Sequence, residues 1–187
     1  MLPEISLNIL DISQNSISAK ATLIEISLDI DTGKHQLAVS IKDNGTGMSK
    51  DALASVTDPF FTTRTTRKVG LGIPFFKQAA ECTGGTFSIR SISGKGTHVT
   101  AVFHTDHIDC MPLGNINSTI YTLVTMNDTI DFYYEYRVNG EAFHLDTKEM
   151  REILGDVPFG QPEVSAFLRD YLEENETEIN NNQNYHV

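Results

Sequence analysis

The 187-residue sequence predicts an α+β protein, a two-layer α/β sandwich with a sheet on one side and helices on the other. The order of the predicted elements carries the fold prediction, and the distribution of charge predicts the domain organisation. The first 106 residues follow the order helix, two strands, loop, helix, two strands, which favours helices packed on one face of a sheet. Residues 1–106 also carry ten acidic and ten basic side chains, whereas residues 107–187 carry fifteen and four. The whole net charge of −11 therefore belongs to the second segment, which predicts a boundary near residue 106.

The first elements are a helix and a β-hairpin. Apolar residues recur with mostly helical spacing from Pro3 to about residue 19, and proline suits the first turn of a helix. Residues 24–30 and 37–41 then alternate apolar with polar side chains. This alternation predicts two half-buried strands, joined by a turn and ending on Asp43.

A loop, a second helix and another pair of strands follow. The loop covers residues 44–69 and contains a short predicted helix near 50–56. The second helix is predicted from about Gly70 to Cys82, where two glycines end it. Strands are predicted around residues 87–89 and 99–103, with a glycine turn between them.

The acidic second segment predicts a hairpin-and-helix extension. Residues 120–126 and 130–138 read as strands, and Asn139-Gly140 is typical of a tight hairpin turn. Helices are then predicted from an N-cap at Asp146 and from Pro162.

The resulting division is a first domain over 1–106, an extension over 107–172 and a tail over 173–187. The tail is acidic and rich in asparagine, which predicts disorder. Two roles for the hairpin stay open at this point: it provides a surface for a partner, or it extends the sheet of the first domain.

Composition excludes several classes of partner. The calculated isoelectric point of about 4.8 disfavours nucleic acids and anionic membranes, since phosphate contacts need clustered basic residues. No apolar run is long enough to cross a bilayer. Cys82 and Cys110 fit neither a disulfide framework nor a metal-binding spacing. We therefore expect a reduced, cytoplasmic protein with no nucleic-acid or membrane partner.

Three short motifs carry candidate chemistry, although each has an ordinary structural explanation. Asp43 is followed by two glycines that allow close approach of a flat ligand, or that simply form a turn. Residues 69–73 place glycines at a helix start, where N–H groups bind phosphate or merely begin a helix. Asp11 and Asn15 share a helix face, which suits a metal ion and an activated water, or a solvated surface.

The order of these motifs resembles the GHKL superfamily, which includes DNA gyrase, the MutL mismatch-repair proteins, heat-shock chaperones and histidine kinases. The likeness covers about residues 4–104. It consists of an N-box at 10–22, a G1 box at 43–48, an F-box at 58–64, a G2 box at 70–73, and a histidine-kinase-like ending at 84–87 and 94–97.

The resemblance implies a Bergerat fold with a mixed, mostly antiparallel sheet, and a site for ATP and Mg²⁺. Asn15 would hold Mg²⁺ between the phosphates, and Asp43 would accept a hydrogen bond from the adenine amino group. The other binding residues implied are Gly45, Gly47, Met48, Lys68, Gly70, Leu71, Gly72 and Thr97.

Two residues are implied to be catalytic. Arg64 would reach the terminal phosphate, and Asp11 falls where the ATPase branches carry a general-base glutamate. The sequence departs from the family at Asp11, which is one methylene shorter, and at Lys68, where the G2 box usually has glycine. Arg67 and Lys68 would pair with phosphate, or are solvated loop charges.

The resemblance implies a cytoplasmic signalling function. Since the N-box helix begins at residue 4, we expect a stand-alone kinase-like domain without the dimerising hairpin of a sensor kinase. It would transfer the γ-phosphate of ATP to a separate protein. The alternatives are an ATPase that acts as a conformational switch, and a nucleotide-sensing module without turnover. A protein partner or phosphoacceptor is expected, and a homodimer is left open.

Overall fold

A computed structural model describes residues 3–57 and 72–185. In chain order its elements are α1 (Ile5–Ser18), β1 (Leu23–Asp31), β2 (Gln36–Asp43), α2 (Lys50–Ser55), α3 (Gly72–Cys82), β3 (Thr86–Ile92), β4 (Gly96–His104), α4 (Ile116–Thr125), β5 (Asp131–Val138), β6 (Glu141–Asp146), α5 (Thr147–Leu154) and α6 (Pro162–Asn182).

The strands form a six-stranded sheet in the order β3-β4-β2-β1-β5-β6. Every neighbouring pair is antiparallel except β1 and β5, which are parallel. Strand β1 lies between β2 and β5. Its Ile26 pairs with Ile41 of β2 on one side and with Tyr134 of β5 on the other. The sheet is therefore mixed and mostly antiparallel, as predicted.

One face of the sheet is buried beneath helices. The alternating isoleucines and leucine of β1 are almost fully buried, whereas Glu25, Ser27 and Asp29 point to the other side. Helices α1 and α3 pack on β2, β3 and β4, while α4 and α6 pack on β5 and β6. Because α1 also contacts α3 and α4, the helices form one layer over one continuous core. This arrangement confirms the predicted two-layer sandwich.

The C-terminal hairpin extends the sheet. Asn139 and Gly140 both have positive φ angles, of 50° and 91°, as a tight two-residue turn requires. The preceding strand β5 pairs with β1 and buries Phe132, Tyr134 and Tyr136 in the core. The sheet and its core thus cross the predicted boundary near residue 106.

The strand predicted over residues 120–126 is wrong, because these residues belong to α4. Ile116, Ile120 and Leu123 are buried at helical spacing, and the Asn115 side chain accepts a hydrogen bond from the Ser118 N–H. Short apolar runs fit both a buried strand and a buried helix, so alternation alone misled the prediction.

The disorder predicted over residues 173–187 is also wrong, since α6 continues to Asn182 and the described chain to residue 185. Leu168, Leu172 and Ile179 form a buried stripe along this helix. The acidic and amide residues lie mostly between these positions, where they face solvent. The average composition of this segment does not reveal such a stripe. The helical spacing of its few apolar residues nevertheless lets them pack together against the core.

Within residues 3–57 and 72–185, no helix combines the length and apolar character needed to cross a bilayer.

We expect Ile179→Ala to lower the free energy of unfolding by about 2–5 kcal/mol, because it removes a buried side chain near the end of α6. The matched control Glu178→Ala, at an exposed neighbouring position, should change it by less than about 0.5 kcal/mol. Urea denaturation of the full chain measures both. Equal effects of the two substitutions would contradict the packing of this helix end.

Candidate functional site

One cavity brings together residues that lie far apart in the sequence. It has a volume of about 210 Å³ and lies between α1, the end of β2, the start of α3 and β4. Of the predicted binding residues, it is lined by Asn15, Asp43, Gly47, Met48 and Thr97. Its other lining residues are Ile12, Ser16, Ala19, Ile41, Val56, Ile73 and Val99.

The Asp43 carboxylate lies at the end of β2 and is held, among residues 3–57 and 72–185, by three hydrogen-bond donors. The Ser16 hydroxyl donates to Oδ2 at 2.7 Å. The backbone N–H groups of Gly45 and Thr97 donate to Oδ1 at 2.8 and 3.3 Å. A carboxylate has about four acceptor positions, so these donors leave one for a ligand. Asp43 is only 9% exposed, and a ligand donor must therefore reach it through the cavity.

The turn after Asp43 is packed too closely for side chains. Gly47 has a φ of 62°, and a Cβ atom there would overlap the carbonyl group of Ile92. A Cβ atom on Gly45 would lie 2.7 Å from the Ala19 carbonyl oxygen. Both glycines are therefore required by close backbone contacts that bring the turn against α1 and the β3–β4 turn. Gly45 contacts Asp43, although it does not line the cavity.

The hydroxyl groups of Ser91 and Thr97 connect the turn after Asp43 to strands β3 and β4. The Ser91 hydroxyl accepts a hydrogen bond from the Met48 N–H at 2.8 Å, and it also bonds the Thr97 hydroxyl at 2.8 Å. Gly96 precedes Thr97 with a φ of 108°, and a Cβ atom there would overlap the Asp43 carbonyl. These contacts fix the strand end that supplies the Thr97 N–H.

Asp11 and Asn15 lie one turn apart on α1, beside the start of α3. The Asp11 carboxylate lies against Gly72, and a Cβ atom on that glycine would overlap the carboxylate oxygen Oδ2. Since Asn15 lines the cavity, the same helix face joins the cavity to the start of α3. Free N–H groups at a helix start favour anions, so this end of the cavity suits a phosphate group.

The oxygen donors of Asp11 and Asn15 fit Mg²⁺, which prefers carboxylate, carbonyl and phosphate oxygens and keeps several waters. In the part of the chain that the structure describes, no cluster of three His, Cys, Asp or Glu residues could enclose a metal ion.

Four predicted site residues, Arg64, Lys68, Gly70 and Leu71, lie outside the described residues. Gly72 is described, and it is the first residue of α3. The predicted roles of these residues, and of the residues around the cavity, stay predictions.

Three residues that organise the cavity were not predicted as site residues: Ser16, Ser91 and Gly96. Ser16 lies in the N-box and continues the buried stripe of Ile5, Ile9 and Ile12 as a polar residue on an otherwise apolar helix face. Gly96 lies in the predicted motif at 94–97, whereas Ser91 becomes visible only when the β3–β4 hairpin is placed beside the Asp43 turn.

Residues 2–107 match the family described as Histidine kinase-, DNA gyrase B-, and HSP90-like ATPase. The chain belongs to this family. The match confirms the GHKL resemblance, and it contains every residue that lines the cavity.

Relatives within this family are bacterial sensor proteins. A putative sensor protein of Shewanella frigidimarina is 33% identical over 103 residues, which cover 54% of this chain and 15% of the relative. The C4-dicarboxylate transport sensor protein DctB of Pseudomonas aeruginosa is 34% identical over 79 residues, covering 42% and 13%. Sensor histidine kinase ZraS of Salmonella typhimurium is 30% identical over 93 residues, covering 49% and 20%. The chain thus spans a fifth or less of each relative.

Solved structures share the fold over a larger part of the chain. The N-terminal domain of a DNA repair protein superposes with a TM-score of 0.57 at 15% identity, covering 83% of this chain and 58% of that one. The Aquifex aeolicus MutL ATPase domain complexed with ADP gives 0.50 at 13% identity, covering 82% and 70%. The two structures cover a larger part of this chain than residues 2–107, which the family match covers. The fold likeness therefore includes part of the C-terminal segment.

We expect Gly47→Ala to lower the free energy of unfolding by about 3 kcal/mol or more, through left-handed backbone strain and overlap with Ile92. Gly94→Ala is the matched control, since Gly94 has a φ of 78° but open space around it. It should cost only about 1–2 kcal/mol of strain. Urea denaturation checks this difference, and equal losses would show that the turn is not closely packed.

Proposed function

We propose that the cavity binds ATP, with the adenine at Asp43 and the phosphates toward Asp11, Asn15 and the start of α3. The observation that carries this proposal is the buried Asp43 carboxylate, which has three protein donors and one acceptor position left at the cavity. The adenine amino group is a donor of the right kind. Membership in a family of ATPases supports the same ligand.

The walls of the cavity suit a flat, largely apolar ring. Ile41, Ile73 and Val99 line it beside Asp43, and all three are at least nine-tenths buried. Adenine would exchange water for these side chains, while its amino group keeps a charge-assisted hydrogen bond. A base without an amino group at that edge would leave the Asp43 carboxylate with an unfilled position.

The phosphate end would contain Mg²⁺, for which Asn15 supplies an oxygen ligand. When bound, the ion neutralises charge on the transferred phosphoryl group. The N–H groups of Gly70, Leu71 and Gly72 would donate to phosphate oxygens. Arg64 and Lys68 would add positive charge near the terminal phosphate.

We infer that the chain transfers the γ-phosphate to a separate protein. The bond between the γ-phosphorus and its bridging oxygen breaks, a bond to the acceptor atom forms, and ADP leaves. Asp11 would orient the acceptor and accept its proton. The names of two relatives, a transport sensor protein and a sensor histidine kinase, support a protein acceptor in signalling.

Hydrolysis is the second candidate, and the position of Asp11 is equally compatible with it. A carboxylate beside the start of α3 can orient water as readily as a protein side chain. In that case phosphate and ADP are the products, and the nucleotide state would switch the conformation of the domain. A nucleotide sensor without turnover would share the binding step alone.

We expect Asp43→Asn to weaken Mg-ATP binding about tenfold or more, because it removes a charge-assisted hydrogen bond to the adenine amino group. Asparagine keeps the size of the side chain and an acceptor for the Gly45 and Thr97 N–H groups. The control is Asp29→Asn, an exposed carboxylate on the open face of β1. Isothermal titration calorimetry measures both, and unchanged affinity in Asp43→Asn would remove Asp43 from the site.

We expect Asp11→Asn to lower turnover about 100-fold or more while Mg-ATP affinity changes only a few-fold, since the amide cannot accept a proton. Labelled ATP, with and without a lysate of the source cell, measures free phosphate and labelled protein separately. Asp51→Asn in α2 is the control. Label on a protein supports the kinase, free phosphate alone supports the ATPase, and full turnover by Asp11→Asn would contradict the role of Asp11.

A further inference from the structure

Helices α5 and α6 form an apolar groove that is separate from the cavity at Asp43. The groove has a volume of about 280 Å³ and is lined by Met150, Ile153, Leu154, Glu163, Val164 and Phe167. Ile153 is 86% exposed and Phe167 is 59% exposed, so large apolar surfaces face solvent at its rim. Val157, just beyond α5, is a third exposed apolar residue in the same region.

These residues form a concentrated patch. Among the described residues, six large apolar side chains are exposed, and three of them are Ile153, Val157 and Phe167. Single exposed apolar residues are ordinary, whereas a contiguous apolar patch bordered by polar residues is typical of an interaction site.

The groove is backed by rigid packing. Phe167 lies 6.1 Å from the ring of Tyr171, which in turn contacts Phe143 of β6. The Tyr171 hydroxyl donates a hydrogen bond to the His144 carbonyl oxygen at 2.8 Å. The wall formed by α6 is therefore attached to the edge strand of the sheet, and the groove does not depend on a ligand to form.

We call the exposed acidic residues of the two helices that form the groove its acidic rim, and one of them, Glu163, lines the groove. On α6, the positions of Phe167, Glu163, Asp170 and Glu174 fall on one helix stripe, at spacings of three and four residues. On and after α5, the exposed acidic residues are Glu149, Glu152 and Asp156.

Basic side chains offset this charge only in part. Arg151 pairs with Asp131 at 3.2 Å and lies over the Phe159 ring, and Arg169 lies over the Tyr121 ring. Lys148 is the remaining base of α5 and α6. Taken together, the two helices and the turn after α5 therefore carry a net negative charge beside the apolar floor.

We propose that this groove binds a basic amphipathic helix of a partner protein. Apolar residues on one face of that helix, three and four positions apart, would enter between Ile153 and Phe167. Flanking lysines or arginines would meet the acidic rim and would speed association. This partner surface lies outside the nucleotide site, and the proposal does not rest on ATP binding.

Charge disfavours two other occupants of the groove, a second copy of this chain and an anionic membrane. A two-fold contact between copies of this chain through the groove would place each acidic rim against the same rim. An anionic membrane would be repelled in the same way. A basic helix is the occupant for which both the apolar floor and the rim are complementary.

The test uses the full chain without nucleotide and a labelled helical peptide of about 18 residues. The peptide has leucines along one face and lysines elsewhere, and a second peptide replaces the leucines by serine. Fluorescence anisotropy should show that the chain binds the leucine peptide at least tenfold more tightly than the serine peptide. Added salt should weaken the binding.

Variants assign the binding to the groove. Ile153→Ser and Phe167→Ser should each weaken peptide binding at least tenfold, whereas Ile108→Ser, at an exposed position away from the groove, should not change it. Glu163→Lys should weaken binding through the rim charge alone. Thermal unfolding of every variant establishes that it remains folded.

Several outcomes would overturn the proposal. These are no binding of the leucine peptide, equal binding of the serine peptide, and unchanged binding by the groove variants. Sedimentation that shows a dimer of the wild type and a monomer of Ile153→Ser would assign the groove to a second copy instead. Because ATP is absent throughout, none of these outcomes bears on the nucleotide site.

Discussion

The burial of the Asp43 carboxylate is the constraint on which both the site and its supporting structure depend. A buried charge is expensive unless donors surround it, and here the donors come from three different parts of the chain. Ser16 lies on α1, Gly45 in the turn after β2, and Thr97 on β4. Holding this carboxylate therefore fixes the helix, the turn and the strand relative to one another.

The same contacts explain why the site lies at the end of β2. Upstream, β2 is a regular strand in the centre of the sheet, with its backbone groups paired on both sides. Past Asp43 the chain leaves the sheet, and Asn44 holds this exit by accepting the N–H groups of Thr22 and Leu23. A polar group at the end of a buried strand can thus be fixed by the sheet and still face a cavity.

Local patterns predicted the parts of the fold that have local causes. Alternation identified the β1–β2 and β5–β6 hairpins, because one side of each strand faces the core and the turns need specific residues such as Asn139-Gly140. The strand predicted at 120–126 was wrong because its apolar run fits two structures and only the core chooses between them. The end of α6 was missed because its buried residues are sparse among many polar ones.

The candidate site likewise contains some residues that local patterns predicted and others that they did not. Asp43, Gly47 and Asn15 were found because the motifs that contain them are short and contiguous. Ser91 could not be found so directly, since it acts through a turn that reaches Asp43 only after β3 and β4 have paired. Its importance is a property of strand pairing, which no local pattern encodes.

Asp11 and Gly72 bring α1 and the start of α3 together through one close contact. At Gly72 the first residue of α3 has no side chain, and the space that a Cβ atom would fill is taken by the Asp11 carboxylate. A larger residue at position 72 would meet this carboxylate first, because the overlapping atoms belong to the Asp11 side chain and not to a backbone. The glycine therefore decides where the Asp11 carboxylate lies, and a side chain at position 72 would turn that carboxylate away from the start of α3.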